Sequence, residues 1–161
     1  MYRIGQGIDF HQLAEGRELW LGGIHIPHHK GCVAHSDGDV LLHAICDALL
    51  GALGLGDIGL HFPDTDNTWK GADSKRLLAR CVELIQERGY AVENVDATLL
   101  LQAPKIRPHV AAMQETIAGI IGVGLDAVSI KATTTEQLSF IGREEGVVAT
   151  ASALLRKENG A

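Results

Sequence analysis

The order of strand-like and helix-like patterns is the feature of this chain that most constrains its fold. Alternating apolar residues predict two strands at the start, over residues 2–10 and 18–26. Two helical patterns, a strand, a third helix and two further strands follow, so the predicted order is β-β-α-α-β-α-β-β. This order favours an α+β fold with one mixed or antiparallel sheet and helices packed on one face, and we predict a single mixed β-sheet.

Capping and turn residues predict the bounds of the other elements. We expect helices that begin at Ser36 or Asp37, at Asp73 and near Pro108, and that end at residues 53, 88 and 121. We expect strands over residues 92–102, 128–132 and 147–155. Residues 27–31 and 54–71 are predicted loops, and residues 133–136 a predicted turn.

Length, charge and cysteine content exclude several classes of protein. The 161 residues predict a single domain, residues 1–161, that needs no disulfides. The net charge of −6 argues against a nucleic-acid partner, because binding to phosphate backbones requires a basic face. No apolar run reaches the length of a membrane span, and the start of the chain lacks a secretory pattern, so we expect no membrane partner. Cys32, Cys46 and Cys81 form no CxxC pair, which favours reduced thiols and a cytoplasmic location.

Two acid–imidazole groups predict a metal site. Asp9 and His11 are two residues apart, so on a strand their side chains leave the same face. Asp39, His43 and Asp47 are spaced by four, so on a helix they form one stripe in which either aspartate can accept the second ring N–H of His43. Two imidazoles and one carboxylate are the ligands of a catalytic zinc with an open fourth position. We therefore predict that Asp9, His11 and His43 hold zinc or a similar ion.

Simpler roles exist for the same residues. Asp9 and His11 by themselves are also compatible with a surface pair at the end of a strand, and a lone helical histidine often belongs to the core. A structural metal would require a fourth protein ligand, for which His61 and Asp39 are the candidates.

Polar loops supply further candidates. His35 and Ser36 precede the first helix, where Ser36 is a candidate cap and the backbone N–H groups are a candidate anion site. Aspartates at residues 57–59 and 64–66 either form turns or accept ribose or polyol hydroxyls. Residues 131–136 form either a self-capped turn or a clamp for a diphosphate and a hard cation. Residues 103–108 are braced by prolines, which leaves their backbone groups free to contact a base edge.

Eight short motifs, which together extend over nearly the whole chain, carry a family resemblance. They are RIGQGIDFH from Arg3, AHSDGD from Ala34, GDIG from Gly56, FPDTD from Phe62, GADS from Gly71, QAPK from Gln102, KATTTE from Lys131 and FIGR from Phe140. In this order they resemble the 2-C-methyl-D-erythritol 2,4-cyclodiphosphate synthase family of the non-mevalonate pathway of isoprenoid and terpenoid biosynthesis.

The resemblance implies a homotrimer with active sites between neighbouring subunits. The implied reaction converts 4-diphosphocytidyl-2-C-methyl-D-erythritol 2-phosphate to 2-C-methyl-D-erythritol 2,4-cyclodiphosphate and CMP, as a phosphorus–oxygen lyase. Zn²⁺ would be held by Asp9, His11 and His43, and a second divalent cation, Mg²⁺ or Mn²⁺, would be reached by Glu136. His35 and Thr134 are the implied catalytic residues, as stabilisers of the transition state.

The resemblance also implies a set of substrate contacts. Asp57, Ile58 and Gly59 would lie at the ribose, and Ser36, Phe62, Pro63, Asp64, Thr65 and Asp66 at the methylerythritol part. The adjacent subunit would hold the cytosine and diphosphate through Leu101, Gln102, Ala103, Pro104, Lys105, Ile106, Arg107, Thr133 and Thr135. Phe140 and Arg143 complete the substrate-binding set.

The chain departs from the family pattern at three positions. Gln6 and Ile8 occupy variable positions of the opening motif and leave the ligands untouched. Glu144 follows Arg143, where a small residue such as glycine is expected. In the family that arginine borders a cavity along the trimer axis that can hold an isoprenoid phosphate, and the charge of Glu144 disfavours such a ligand.

Two other functions compete with the cyclodiphosphate synthase. A zinc hydrolase of phosphate esters or nucleotides would release CMP without a cyclic product, because water would be the attacking group. A non-catalytic trimeric binding module would use its metal structurally and would close the site with a fourth ligand.

Overall fold

A five-stranded sheet forms the centre of the fold in a computed structural model, which describes residues 1–63, 65–69 and 71–158. The described residues form seven strands: β1 (Tyr2–Glu15), β2 (Leu19–Leu21), β3 (Ile24–Ile26), β4 (Lys30–Cys32), β5 (Tyr90–Leu100), β6 (Val128–Thr133) and β7 (Gly146–Lys157). The main sheet has the order β4-β1-β7-β5-β6, while β2 and β3 form a separate hairpin. The β5–β6 pair is parallel and the other pairs of the main sheet are antiparallel, so the prediction of a mixed sheet is confirmed. The prediction that this sheet is single is wrong, because β2 and β3 form a second sheet of two strands.

Three long helices cover one face of this sheet. The helices are α1 (Val40–Ala52), α2 (Ile58–His61), α3 (Ser74–Glu87), α4 (Val110–Ile121) and α5 (Ser139–Gly142). Helix α1 packs against β1 and β7, α3 packs against β5, and α4 lies beside β6. The core lies between these helices and the sheet and includes Leu41, Ile45, Leu78 and Leu99. None of the described helices is long and apolar enough to cross a membrane.

Two glycines allow α1 to approach β1 closely. A Cβ atom at Gly5 would lie 1.9 Å from the carbonyl oxygen of Ala48, and one at Gly7 would lie 2.0 Å from that of Ala44. Any larger residue at either position would therefore push the helix away from the strand. This close contact holds His43 of α1 beside the polar residues of β1.

The opposite face of the sheet exposes apolar side chains. Along β1, Ile4 is 74% exposed, Ile8 54% and Phe10 56%, although all three lie in paired strand. Because strand side chains alternate, Gly5, Gly7, Asp9 and His11 point to the helical face instead. We call the exposed side the open face.

Several predicted bounds are wrong. The strand predicted over residues 18–26 is the β2–β3 hairpin, because Gly22 and Gly23, with φ of +62° and +76°, form its two-residue turn. The loop predicted over residues 27–31 contains the start of β4, which pairs with the extended end of β1. Helix α1 begins at Val40, after the cap Asp39, rather than at Ser36 or Asp37. The loop predicted over residues 54–71 contains α2, and α5 follows the predicted turn at residues 133–136.

Candidate active site

Asp9, His11 and His43 meet at one point between β1 and α1. Asp9 Oδ2 lies 3.0 Å from Nδ1 of His11 and 3.1 Å from Nδ1 of His43. One donor atom from each of the three residues lies within 4.8 Å of the other two. The structure therefore brings together the three residues that the spacing predicted as a metal-binding group.

The surroundings of the three donors favour a cation. His11 Nδ1 is buried and has no hydrogen-bond partner within the described residues, since its short approach to Asp9 does not have hydrogen-bond geometry. Burial raises the pKa of Asp9, but the two imidazoles outweigh this effect and hold that pKa well below its usual range. The carboxylate is thus ionised, and the buried His11 nitrogen without a hydrogen-bond partner lies beside it. A divalent cation would use both groups.

Ser74 and Asp37 select the tautomer of His43. His43 Nε2 lies 2.9 Å from Ser74 Oγ, and that hydroxyl donates its own hydrogen to Asp37 Oδ1. Since the Ser74 hydrogen is directed to Asp37, Ser74 must accept from Nε2–H of His43. Ser74 thus occupies Nε2, and Nδ1, which faces Asp9, is the nitrogen left for a cation. This is the arrangement in which a polar neighbour orients a metal-binding histidine.

The prediction that Asp39 or Asp47 accepts the second ring N–H of His43 is wrong. Asp39 is fully buried and accepts the backbone N–H groups of Gly22, Gly23 and Leu42, so it caps α1 and ties the β2–β3 hairpin to it. Asp47 accepts the N–H of Ile58 at the start of α2. The i±4 spacing on α1 identified the correct face of the helix. The carboxylates of Asp39 and Asp47, however, already accept hydrogen bonds from backbone N–H groups.

Neither candidate for a fourth metal ligand belongs to the group around Asp9. Asp39 is committed to its three backbone donors, and His61 Nε2 lies 2.8 Å from the carbonyl oxygen of Leu55. Among the described residues, the group around Asp9 contains three donors only. The arrangement is therefore that of an open site, and the closed structural site required by the binding-module alternative is not formed by these residues.

A cleft of about 570 Å³ opens at the three donors. Of the predicted site residues, it is lined by Asp9, His11, His35, Ser36, His43, Ile58, Gly59 and Phe62. Sequence reasoning missed several lining residues, among them Gln12, Val33, Asn67 and Trp69. Ser36 does not cap α1, since its Oγ accepts the N–H of Gly38. No spacing rule could have identified Ser74, which is distant from His43 in sequence and meets it only because α3 packs on α1.

The loop that borders the cleft has turn-forming aspartates. Asp57 Oδ1 accepts the N–H of Leu60 and caps α2, and Asp66 Oδ1 accepts the N–H of Thr68. Pro63 and Thr65 flank the predicted residue Asp64, which lies outside the described residues. Asp57 and Asp66 therefore form turns, and their carboxylate oxygens can still accept hydrogen bonds from a ligand.

The other predicted substrate residues form a second cluster, at the ends of β5 and β6. Leu101 N–H donates to the carbonyl oxygen of Thr133, and Gln137 N–H donates to Oε1 of Gln102. The loop at residues 101–107 and the loop at residues 133–137 are therefore neighbours. We call these two loops the β5–β6 cluster. None of its residues lines the cleft at Asp9.

The β5–β6 cluster and the cleft lie at the same edge of the sheet. Phe10 pairs with Val148, Val148 with Leu100, and Leu100 with Thr133, so these four residues form one row across four strands. Three strand spacings separate β1 from β6, a distance of roughly 14 Å. Within one chain the predicted site residues therefore form two groups on the same edge.

The backbone of the β5–β6 cluster is strained. Glu136 and Gln137 have φ of +53° and +65°, a conformation that costs a non-glycine residue on the order of 1–3 kcal/mol. Thr134 Oγ1 donates to Oε1 of Glu136 at 3.2 Å. Strain of this kind is found at functional loops, where the surrounding contacts hold it in place.

Phe140 and Arg143 lie on the segment that follows this cluster. The ring centroid of Phe140 is 6.3 Å from that of Phe10, at the rim of the open face. Arg143 forms two bonds to the carboxylate of Glu145, at 2.9 Å and 3.0 Å. Phe140 therefore contacts the open face through Phe10, and Arg143 is already paired.

The fold and site together define an α+β protein with an Asp-His-His group that can bind a metal in an open cleft. A family model described as the YgbB family matches residues 2–156. A curated 2-C-methyl-D-erythritol 2,4-cyclodiphosphate synthase from Ectopseudomonas mendocina is 61% identical over 96% of this chain and 99% of its own length.

Two solved structures have the same fold. The bifunctional IspDF from Campylobacter jejuni has a TM-score of 0.94 and 42% identity over 99% of this chain, which spans only 43% of that longer protein. A 2C-methyl-D-erythritol-2,4-cyclodiphosphate synthase in a CDP-bound form has a TM-score of 0.90 and 42% identity, over 96% of this chain and 100% of its own.

The chain belongs to the YgbB family, the 2-C-methyl-D-erythritol 2,4-cyclodiphosphate synthases of isoprenoid biosynthesis. It is therefore an enzyme, and the predicted family resemblance is confirmed.

Proposed function

We propose that this chain converts 4-diphosphocytidyl-2-C-methyl-D-erythritol 2-phosphate to 2-C-methyl-D-erythritol 2,4-cyclodiphosphate and CMP, as a phosphorus–oxygen lyase. An oxygen of the substrate's 2-phosphate forms a bond to the β-phosphorus. The bond from that phosphorus to the bridging oxygen breaks, and CMP leaves with the electron pair. The reaction consumes no water and needs no protein nucleophile. The observation that carries the proposal is the open Asp9–His11–His43 group at a cleft in a chain of this family.

The donor set fits Zn²⁺, held by Asp9, His11 and His43. His11 contributes a buried nitrogen that lacks a partner, His43 contributes Nδ1 because Ser74 binds its Nε2–H, and Asp9 contributes an ionised oxygen. When bound there, the ion supplies positive charge to a phosphate oxygen. Glu136 is the proposed ligand of a second divalent cation, Mg²⁺ or Mn²⁺, and the Thr134 hydroxyl holds one of its oxygens.

The cleft residues have distinct proposed tasks. His35 lines the same cleft as the three donors, where its imidazole N–H would donate to a phosphate oxygen. Thr134, in the β5–β6 cluster, would donate its hydroxyl hydrogen to a phosphate oxygen as well. We propose that Ser36, Phe62 and residues 63–66 contact the methylerythritol part. Asp57, Ile58 and Gly59 would contact the ribose.

A homotrimer would join the two groups of site residues. One chain holds its cleft and its β5–β6 cluster roughly 14 Å apart at one edge of the sheet. The apolar open face lies beside that edge and includes Ile8 and Phe10, which a monomer would leave in water. Packing of three open faces around an axis would bring the β5–β6 cluster of one subunit to the cleft of the next. Residues 101–107, Thr133 and Thr135 would then hold cytosine and diphosphate, with Phe140 and Arg143 at the rim.

Positioning supplies much of the rate in this account. The attacking phosphate and the electrophilic phosphorus belong to one molecule, so the cleft needs only to fold the substrate back on itself and to neutralise its charge. The related synthase structure with CDP bound supports a cytidine diphosphate ester as the substrate. The acidic net charge of the chain is consistent with the use of cations for phosphate binding.

Product identity tests the proposal. Purified protein, supplied with Zn²⁺ and Mg²⁺, is incubated with the cytidylated substrate and followed by phosphorus NMR. We expect the two coupled resonances of a cyclic diphosphate to appear in step with CMP. CMP release with an open-chain product would instead identify the hydrolase, and no turnover with retained metal would identify the binding module.

A further inference from the structure

A second group of metal-binding side chains lies outside the cleft. His28, His29 and Glu144 each offer a donor atom, and these atoms lie within 4.8 Å of one another. His28 and His29 belong to the segment between β3 and β4, and Glu144 belongs to the turn between α5 and β7. We call this group the His-His-Glu cluster. It joins two segments that are far apart in sequence.

His28 has a nitrogen that needs a partner. Its Nε2 atom is buried and makes no hydrogen bond within the described residues. Burial lowers the pKa of His28, and the neighbouring His29 lowers it further, which favours the neutral ring that can bind a cation. A buried polar atom without a partner is costly, and a bound cation would remove that cost.

The backbone around the cluster holds its donors close together. The ring centroids of His28 and His29 are 4.4 Å apart. Lys30 Nζ donates to the carbonyl oxygen of Glu144 at 3.0 Å, which fixes the turn against the start of β4. Glu15 is a further carboxylate at the edge, since its Oε1 lies 3.7 Å from Nε2 of His29.

Glu144 adopts a backbone conformation that favours glycine. Its φ is +55°, in the left-handed region, and it is the position at which the sequence departs from the expected small residue. A glutamate there introduces strain that glycine would avoid, and it introduces a carboxylate beside two imidazoles. The strain and the donor group therefore occur at the same residue.

We propose that His28, His29 and Glu144 bind a divalent transition-metal ion of the zinc type, at a site separate from the Asp9 group. Two imidazoles and a carboxylate are ligands that suit Zn²⁺. His29 is exposed, so its side chain can adjust to the coordination geometry of the ion. The two sites are apart on β1: Glu15, at the edge of the His-His-Glu cluster, is four residues beyond His11 of the Asp9 group. This corresponds to about 13 Å along the strand. The bound ion would cross-link the β3–β4 segment to the α5–β7 turn and stabilise this end of the sheet.

Zinc stoichiometry tests the site without any measurement of activity. Chelator-treated full-length protein in its native assembly is dialysed against Zn²⁺ alone, and the metal per chain is counted by mass spectrometry. We expect the wild type to bind one ion per chain more than Glu144→Gly or His28→Gln. Glycine suits the left-handed backbone at residue 144, so Glu144→Gly should fold. We also expect Zn²⁺ to raise the melting temperature of the wild type more than that of Glu144→Gly.

Glu145→Gln is the matched control, because Glu145 lies in the same turn but contributes no donor to the cluster. It should bind as many ions as the wild type. Equal zinc counts in the wild type, Glu144→Gly and His28→Gln would overturn the proposal. Loss of an ion in Glu145→Gln as well would also overturn it, because the effect would then come from the charge of the turn. None of these variants alters Asp9, His11 or His43.

Discussion

At the scale of single residues, the orientation of His43 depends on groups that do not touch a metal. Ser74 accepts Nε2–H of His43 and donates its own hydrogen to Asp37, so the nitrogen that faces Asp9 is Nδ1. His43 is only 5% exposed, so water cannot replace Ser74 easily. The pair Ser74–Asp37 is therefore expected to determine how well the three donors bind a cation.

We predict that Ser74→Ala weakens zinc binding at the Asp9 group by about 10–100-fold. Loss of the hydroxyl removes the acceptor for Nε2–H and allows the ring to turn. Competition of the purified variant with a zinc-sensitive chelator measures the affinity. Thr116→Ala is the control, since it removes a hydroxyl from an exposed part of α4, and it should bind zinc as the wild type does. Equal affinities for Ser74→Ala and the wild type would show that Ser74 does not orient the ring.

The three donors could be predicted from sequence, but the groups around them could not. The two-residue spacing of Asp9 and His11 on a strand and the position of His43 on a helix were sufficient to group them. The partner of Nε2 was predicted wrongly because helical spacing reports only neighbours on the same helix. Ser74 belongs to α3, and only the packing of α3 on α1 places its hydroxyl at His43.

At the scale of elements, the contact between β1 and α1 positions the site. Gly5 and Gly7 let the helix backbone approach the strand, and Asp39 caps the helix and holds the β2–β3 hairpin. The long helices and strands could be predicted from sequence because their apolar residues repeat at a regular spacing. The short elements β4, α2 and α5 have no such period, and they form because tertiary contacts satisfy their backbone groups.

We predict that Gly7→Ala destabilises the protein by about 3 kcal/mol, because the new methyl group meets the Ala44 carbonyl oxygen at 2.0 Å. Urea unfolding at one fixed protein concentration measures the change. Gly119→Ala is the matched control: a Cβ there meets nothing within 4 Å and lies in α4, so it should stabilise by about 1 kcal/mol. A Gly7→Ala variant as stable as the wild type would show that the helix can shift without cost.

At the scale of the whole molecule, the predicted site residues form two groups that one chain does not join. The cleft and the β5–β6 cluster share an edge of the sheet, and the apolar open face adjoins both. The family resemblance predicted sites between subunits, and the separation of the two groups gives that prediction a physical reason. The spacing of apolar residues alone could not have indicated an intersubunit site. The same spacing occurs on a strand face that is buried in its own chain and on one that a neighbouring subunit would cover.

We predict that Ile8→Glu breaks the proposed trimer and lowers turnover, because it would place three charges in the proposed interface. Ultracentrifugation should show a smaller species, and the metal content of the Asp9 group should persist, since residue 8 points away from it. Leu125→Glu is the control, because Leu125 is also 55% exposed but lies outside the open face. A trimeric, active Ile8→Glu variant would exclude the open face as the interface.

We expect Asp9, His11 and His43 to share one cation that turnover requires. The zinc content and the cyclodiphosphate yield of His43→Ala, measured on the same sample beside the wild type, test this expectation. We predict a folded trimer that has lost one zinc ion per chain and whose turnover is reduced by more than about 100-fold. A His43→Ala variant that keeps both its full zinc content and its activity would show that the three residues do not share such a cation.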